Sequence, residues 1–245
     1  MHHAHPTRPG EALLLLAHGS QHYPDASRAL HAHAAALRAQ GCFAEVAAGL
    51  LNGSPSAAEA LATLTAPLVH VVPFFMEQGW FVREAIPRAL RPASGRLRYH
   101  PPVGIHPGLA DIAAARARRA CGADGARYSI LLVGHGSARA PGRPMALHRH
   151  AEAIAAMGTF AAVRAAFLEE PPRVADALRD WRMRPVAVLG FFAGDGGHVR
   201  EDLPALLAAE QTQRAGQAAP LLDLGTIADD PAMPGIILDQ AMAPA

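Results

Sequence analysis

Three residues in the second half of the chain combine types and positions suited to one piece of chemistry. His135 stands in Gly134-His135-Gly136-Ser137, Glu169 sits just before Glu170-Pro171-Pro172, and His198 follows Gly194-Asp195-Gly196-Gly197. Two imidazoles and a carboxylate are a ligand set for a divalent first-row metal. They are equally a base set, because unperturbed imidazole titrates near pH ~6.5. A glycine on each side of His135 allows another group to approach the backbone closely. Taken singly, each feature is bland. Gly-His-Gly-Ser alone is a turn, the 194–197 loop alone is a turn or an anion nest, and no Gly-x-Ser-x-Gly elbow surrounds Ser137 to make it a nucleophile.

The elements around these residues predict that they converge. Residues 128–134 form a short apolar run ending at glycine, the pattern of a strand buried on both faces. Residues 143–157 carry apolar positions at helical spacing, 160–169 read as a second strand, and 172–181 as a helix with proline near its start. Residues 186–192 read as a third strand, 193–197 as a loop, 198–209 as a helix and 221–225 as a fourth strand. Alternating strands and helices predict a parallel sheet covered on both faces, with right-handed crossovers. Ligands of such sheets bind beyond the carboxyl ends of the strands. His135, Glu169 and His198 each follow or end a strand, so all three are expected at one edge, on strands about 4.8 Å apart.

The chain is also a duplication. Ala17-His18-Gly19-Ser20 returns as Gly134-His135-Gly136-Ser137. At the same offset of 117 positions, Phe74-Phe75 returns as Phe191-Phe192, Val82-Arg83-Glu84 as Val199-Arg200-Glu201, and Pro87 as Pro204. The expected architecture is α/β, with two homologous domains of four parallel strands each and a cleft between them. The joint is expected after an Ala/Arg-rich helical run, giving domains 1–118 and 119–245. Under this register His135 answers His18, Glu169 answers Asn52 and His198 answers Phe81. A charge and an imidazole are therefore missing from the first copy, which predicts one working site, in the second half. Trp80 and Phe81 offer an aromatic surface where the second copy has Gly197 and His198.

Composition narrows the alternatives. With 245 residues, 51% of them hydrophobic and 18% charged, the chain can bury a sizeable core. Its 22 basic and 21 acidic residues give no electrostatic case for nucleic acid. Every basic residue is arginine. The absence of lysine excludes a Schiff-base lysine and a Walker A loop, and no organic cofactor is expected. Cys42 and Cys121 are too few for a zinc cluster or a disulfide framework, which fits a reducing compartment. No apolar run approaches a membrane span, and Leu13 to Ala17 is too short for a signal-peptide core. A cytoplasmic protein is expected, and a periplasmic-type solute binder is disfavoured.

Assembled, these motifs resemble the class II tetrapyrrole chelatases, the sirohydrochlorin cobalt- or ferrochelatases of the CbiX type. The resemblance rests on LLVGHGS at 131–137, AFLEEPPRVADAL at 166–178 and FFAGDGGHVREDLP at 191–204. Weaker copies, LLLAHGS and PFFMEQGWFVREAIP, lie in the first half. The intact pair in the second half is similar to the arrangement of anaerobic cobalt chelatases and protoporphyrin ferrochelatases. The resemblance implies two facing α/β domains, a macrocycle in the cleft, and His135, His198 and Glu169 as metal-holding and catalytic groups. It implies a divalent metal as substrate (cobalt first, iron or nickel as alternatives), inserted into sirohydrochlorin or a close precursor in a monomer or homodimer. Arg139, Arg143 and Arg200, with its counterpart Arg83, are candidates to pair with the macrocycle's carboxylates, and His18 is a candidate to touch the ring. The competing reading is a metal or tetrapyrrole carrier without turnover. His2, His3 and His5 are either a metal-delivery segment or a tail. His31 and His33 do not share a helix face, and His22, His70, His100, His106, His148 and His150 have no evident partner.

Overall fold

The computed structural model describes residues 7–137, 145–214 and 219–243, and for Pro24, Pro92, Ala93, Ser94 and His198 the backbone alone. The first repeat runs β1 (Arg8–Ala17), α1 (Arg28–Gln40), β2 (Phe43–Leu50), α2 (Ala57–Ala62), β3 (Leu68–Pro73), α3 (Ile86–Ala89), β4 (Leu97–Tyr99) and α4 (Gly108–Cys121). The second runs β5 (Ser129–Gly134), α5 (Met145–Ala156), β6 (Ala162–Phe167), α6 (Val174–Asp180), β7 (Val186–Gly190), α7 (Leu203–Gln213), β8 (Leu221–Thr226) and α8 (Met233–Met242). Two four-stranded sheets result, ordered β2-β1-β3-β4 and β6-β5-β7-β8. Every strand pair in them is parallel. Two four-stranded parallel sheets flanked by helices are what the sequence predicts.

The central strands explain themselves. Leu13, Leu14, Leu15 and Leu16 are fully buried in β1, and Leu131, Leu132 and Val133 in β5, because a strand covered by helices on both faces has no polar side. The core beside the first sheet joins Leu14, Leu16, Val69 and Val71 to Leu61 of α2 and Ile86 of α3. Its counterpart joins Leu131, Val133 and Val188 to Leu178 and Trp181 beneath α6, and to Leu203 and Leu207 of α7. Local signals set the helix ends. Ser56 and Glu59 form a reciprocal capping box at the start of α2, and α1 stops at Gly41 with φ 67°. Before α3 and before α7, the backbone makes a π-helical turn, at Phe81–Ala85 and at His198–Asp202.

The compact units do not coincide with the sequence repeats. One takes in the chain to His106, Ala193–Asp195 and the chain from Pro231; the other takes in Pro107–Phe192 and Gly196–Asp230. The joint expected at 118/119 lies inside α4, and the repeats have exchanged their last helices. α4 buries Leu109, Ala110, Ala113, Ala114 and Ala117 in the second unit, where Arg116 Nη1 donates to Thr226 O at 2.8 Å. α8 packs against α1 and β3 of the first unit, and Gln240 Nε2 donates to the carbonyls of Pro101 (3.0 Å) and Pro102 (3.1 Å). Among the described residues no helix is long and apolar enough to cross a membrane.

A buried histidine pair ties β3 to the segment after β4 in the first unit. His70 Nε2 lies 2.6 Å from Glu11 Oε2, and His70 Nδ1 lies 2.8 Å from His100 Nε2, with the rings stacked at 5.0 Å. Burial, then the neighbours His70, Arg98 and Arg8, push His100 down to about 4, and burial also lowers His70 against the pull of Glu11. Both folded-state values lie below the unfolded value of about 6.5, so the unfolded chain binds more protons as pH falls. The contribution of this pair is therefore present above pH ~6.5 and is lost as pH falls toward about 4. Thermal melts across that window should show a falling Tm, and His100→Asn, which takes no proton, should flatten the slope.

Candidate functional site

Parallel strand pairing continues past the strand ends and sets the site. β5 pairs in register with β6 and β7, placing Gly134 beside Phe167 and Val133 beside Gly190. Beyond those residues, Leu168 N donates to Gly134 O at 3.1 Å, Glu169 N donates to His135 O at 2.9 Å, and Phe191 N donates to Val133 O at 2.7 Å. Glu169 and His135 are thus backbone neighbours at the carboxyl edge of the second sheet. The strand order reverses direction at β5/β7, and crevices for ligands open at such switch points.

The His135 ring is held by its own loop. Nδ1 lies 2.9 Å from Gly136 O, and a carbonyl can only accept, so Nδ1 is the donor in this contact. Glu169 Oε2 is 3.7 Å from the same Nδ1. The carboxylate therefore stands on the Nδ1 side of the ring, beyond hydrogen-bond distance. Both side chains remain open to solvent, at 47% and 40% exposure. His198 opens the π-helical turn that follows β7 and its glycine loop. Arg200 is on the same turn and exposed, its N–H donating to Gly196 O at 3.0 Å. Arg139 and Arg143 lie outside the described residues, as do His2, His3 and His5. Among the described residues no three His, Cys, Asp or Glu side chains gather as a metal cluster; His135 and Glu169 are the pair brought together.

The turn that carries His135 needs its glycine. Gly136 has φ 77°, and a Cβ there would lie 2.9 Å from both Glu170 Cγ and Phe167 Cβ. Glu170, only 2% exposed, packs under the histidine loop, a second carboxyl beside Glu169 whose only sequence signal is the tandem Glu169-Glu170. In the loop preceding His198, Ala193–Asp195 count with the first unit. A Cβ on Gly194 would come 2.3 Å from Ala26 O, and Arg28 Nη2 lies 3.4 Å from Asp195 Oδ2.

The first repeat reproduces this scaffold with different side chains. Leu51 N donates to Ala17 O (3.0 Å), Asn52 N to His18 O (2.8 Å) and Phe74 N to Leu16 O (2.7 Å). Gly19 has φ 73°, and His18 Nδ1 lies 2.7 Å from Gly19 O. The loop survives intact, whereas Asn52 stands for Glu169 and Phe81 for His198. Two further histidine pairs obey the same offset. His33 packs on Phe74 and His150 on Phe191, at 5.6 and 5.4 Å between ring centroids, and His31 answers His148. Both copies keep these residues, which marks them as part of the fold.

Comparison with known proteins agrees with this architecture. The sequence profile of the CbiX family matches residues 12–120 and 129–241. A probable sirohydrochlorin cobaltochelatase of Halobacterium salinarum is 30% identical over 220 residues, covering 79% of this chain and 75% of that protein. A solved structure from Deinococcus radiodurans, described as a multi-domain protein with structural similarity to chelatases and two additional novel domains, has a TM-score of 0.82 and 29% identity. It covers 95% of this chain, which spans only 55% of that one. The structure of CbiX described as the terminal enzyme for siroheme biosynthesis in denitrifying bacteria has a TM-score of 0.72 and 29% identity, over 94% of this chain and 97% of that one.

Gly136→Ala should test the loop. The left-handed φ and the crowding against Phe167 and Glu170 together should lower unfolding stability by about 1–3 kcal/mol in urea titrations. The same change in Gly41, which also has a positive φ but nothing within 4 Å of its Cβ direction, should cost less, because only the backbone term remains.

Proposed function

Because the chain belongs to the CbiX family, we propose that it inserts a divalent metal ion into sirohydrochlorin or a close precursor, with cobalt as the favoured metal. The observation that carries the reading is the His135 ring at the carboxyl edge of a sheet, its Nδ1 tied to Gly136 O at 2.9 Å and faced by the Glu169 carboxylate at 3.7 Å. An imidazole binds a borderline metal well and releases it to a better chelate.

Insertion has two chemical requirements: removing water from the ion, and removing the two pyrrole N–H protons from the macrocycle. His135 Nε2, joined by His198, takes the place of water on the incoming ion. The Gly136 carbonyl holds the imidazole in place, and Glu169 beside it offsets the positive charge that builds as the ion arrives. Once the ion has passed to the ring nitrogens, a vacated neutral imidazole is a base of suitable strength for a pyrrole proton. Arg200, with Arg139 and Arg143, pairs with the carboxylates around the macrocycle. In this reading the second repeat, 119–245, is the catalytic half, and the protein works in the cytoplasm.

Absorption spectroscopy with metal-free sirohydrochlorin and Co²⁺ tests the reading. The wild-type protein should accelerate the spectral change of metal insertion well above the spontaneous rate. His135→Ala and His198→Ala should each remove that acceleration. Glu169→Gln, which keeps the shape but not the charge, should lower it by about ten- to a hundredfold. Full activity in the His135/His198 double variant would overturn the assignment, and tight binding without acceleration would mark a carrier. Parallel reactions with Fe²⁺ and Ni²⁺ rank the metals.

A further inference from the structure

The first repeat has Asn52 and Phe81 in place of Glu169 and His198, yet it is not an inert surface. At the carboxyl edge of the first sheet, four rings gather within one unit. Phe81 lies edge-on to His18 with ring centroids 4.5 Å apart, edge-on to Trp80 at 5.2 Å, and stacked with Phe75 at 6.1 Å. Trp80 is 58% exposed and Phe81 39%, an unusual expense of apolar aromatic surface outside a recognition site. Basic groups border them. The Arg88 guanidinium lies over the Trp80 ring at 6.0 Å and also meets Glu84 at 3.1 Å, while Arg83 is exposed on the π-helical turn that begins with Phe81.

We propose that His18, Phe75, Trp80 and Phe81 form a stacking subsite for the flat face of the tetrapyrrole, with Arg83 and Arg88 meeting its peripheral carboxylates. Three observations select this occupant. Open aromatic faces suit a planar conjugated ring, which stacks on them in offset or edge-to-face geometry. Arginines at the border suit a ligand that is apolar at its centre and anionic at its rim. The internal repeat supplies the third: Phe81 holds the position of His198, and His18 that of His135, on the same hydrogen-bonded loop. The repeat thus sets an aromatic ring in the first copy at the position that carries a histidine in the second. The inference rests on the tetrapyrrole reading above and adds the residues that set affinity for the ring.

Binding and turnover separate the two claims. Trp80 is one of two tryptophans, and the other, Trp181, is buried, so metal-free sirohydrochlorin stacking on Trp80 should quench the exposed fraction of tryptophan fluorescence. The probe's own absorption gives Kd independently. Trp80→Ala combined with Phe81→Ala should weaken binding by about ten- to a hundredfold. KM should rise in proportion, with kcat for Co²⁺ insertion nearly unchanged, and Trp80→Phe should recover most of the affinity. Since both side chains are exposed, far-ultraviolet circular dichroism of the double variant should match wild type. If it does not, the single change Phe81→Leu carries the same test. His135→Ala should leave Kd unaltered while insertion stops. Wild-type affinity in the Trp80/Phe81 variants would overturn the stacking subsite and leave the chelatase reading standing. Failure of the wild-type protein to bind or metallate the macrocycle would bring down the chelatase reading itself.

Discussion

The site depends on a parallel hydrogen-bond ladder that runs a few residues beyond the strands it joins. Glu169 N donating to His135 O is the last rung between β5 and the chain leaving β6, and it places a carboxylate beside an imidazole without any direct side-chain bond between them. The Gly136 turn then directs the ring. Its carbonyl takes the Nδ1 proton, and its positive φ lets the chain pass over Phe167 and Glu170 where no Cβ would fit. Ring orientation and the neighbouring charge both follow from backbone geometry, which explains how the arrangement is kept in a solvent-open position.

The duplication makes the logic visible. Rung for rung, the first repeat builds the same ladder around His18, down to the glycine turn and the histidine-to-carbonyl contact. Ladder bonds are made by the main chain and tolerate changes of side chain, so the scaffold persisted while the groups on it diverged. Asn52 and Phe81 stand where the second repeat has Glu169 and His198, and Trp80 stands where it has Gly197, beside a phenylalanine, Phe75 or Phe192, that both repeats keep. By contrast, His33 and His150, packed on equivalent phenylalanines, stayed in both copies, as expected of residues the fold requires.

Helix exchange changes what the repeat means for stability. α4 and α8 close each repeat in sequence but pack in the other compact unit. Each unit therefore completes its covering layer with a helix from elsewhere in the chain, and a cut at the sequence joint would divide α4 and leave both units unfinished. The buried His70–His100 pair adds a pH-sensitive element in the first unit.

Much of this was readable from the chain alone. Strand and helix order, the covered parallel sheets and the 117-residue register follow from apolar periodicity and recurring motifs, because those patterns are local and a buried strand must be apolar on both faces. The same register set His135, Glu169 and His198 against His18, Asn52 and Phe81, so that only the first of the three recurs. Tertiary structure decided the rest. It placed Glu169 on the Nδ1 side of His135, brought Glu170 under the Gly136 turn, paired His70 with His100, and moved α4 and α8 between units. Each of these depends on distances between segments far apart in sequence, fixed by packing that no local pattern encodes.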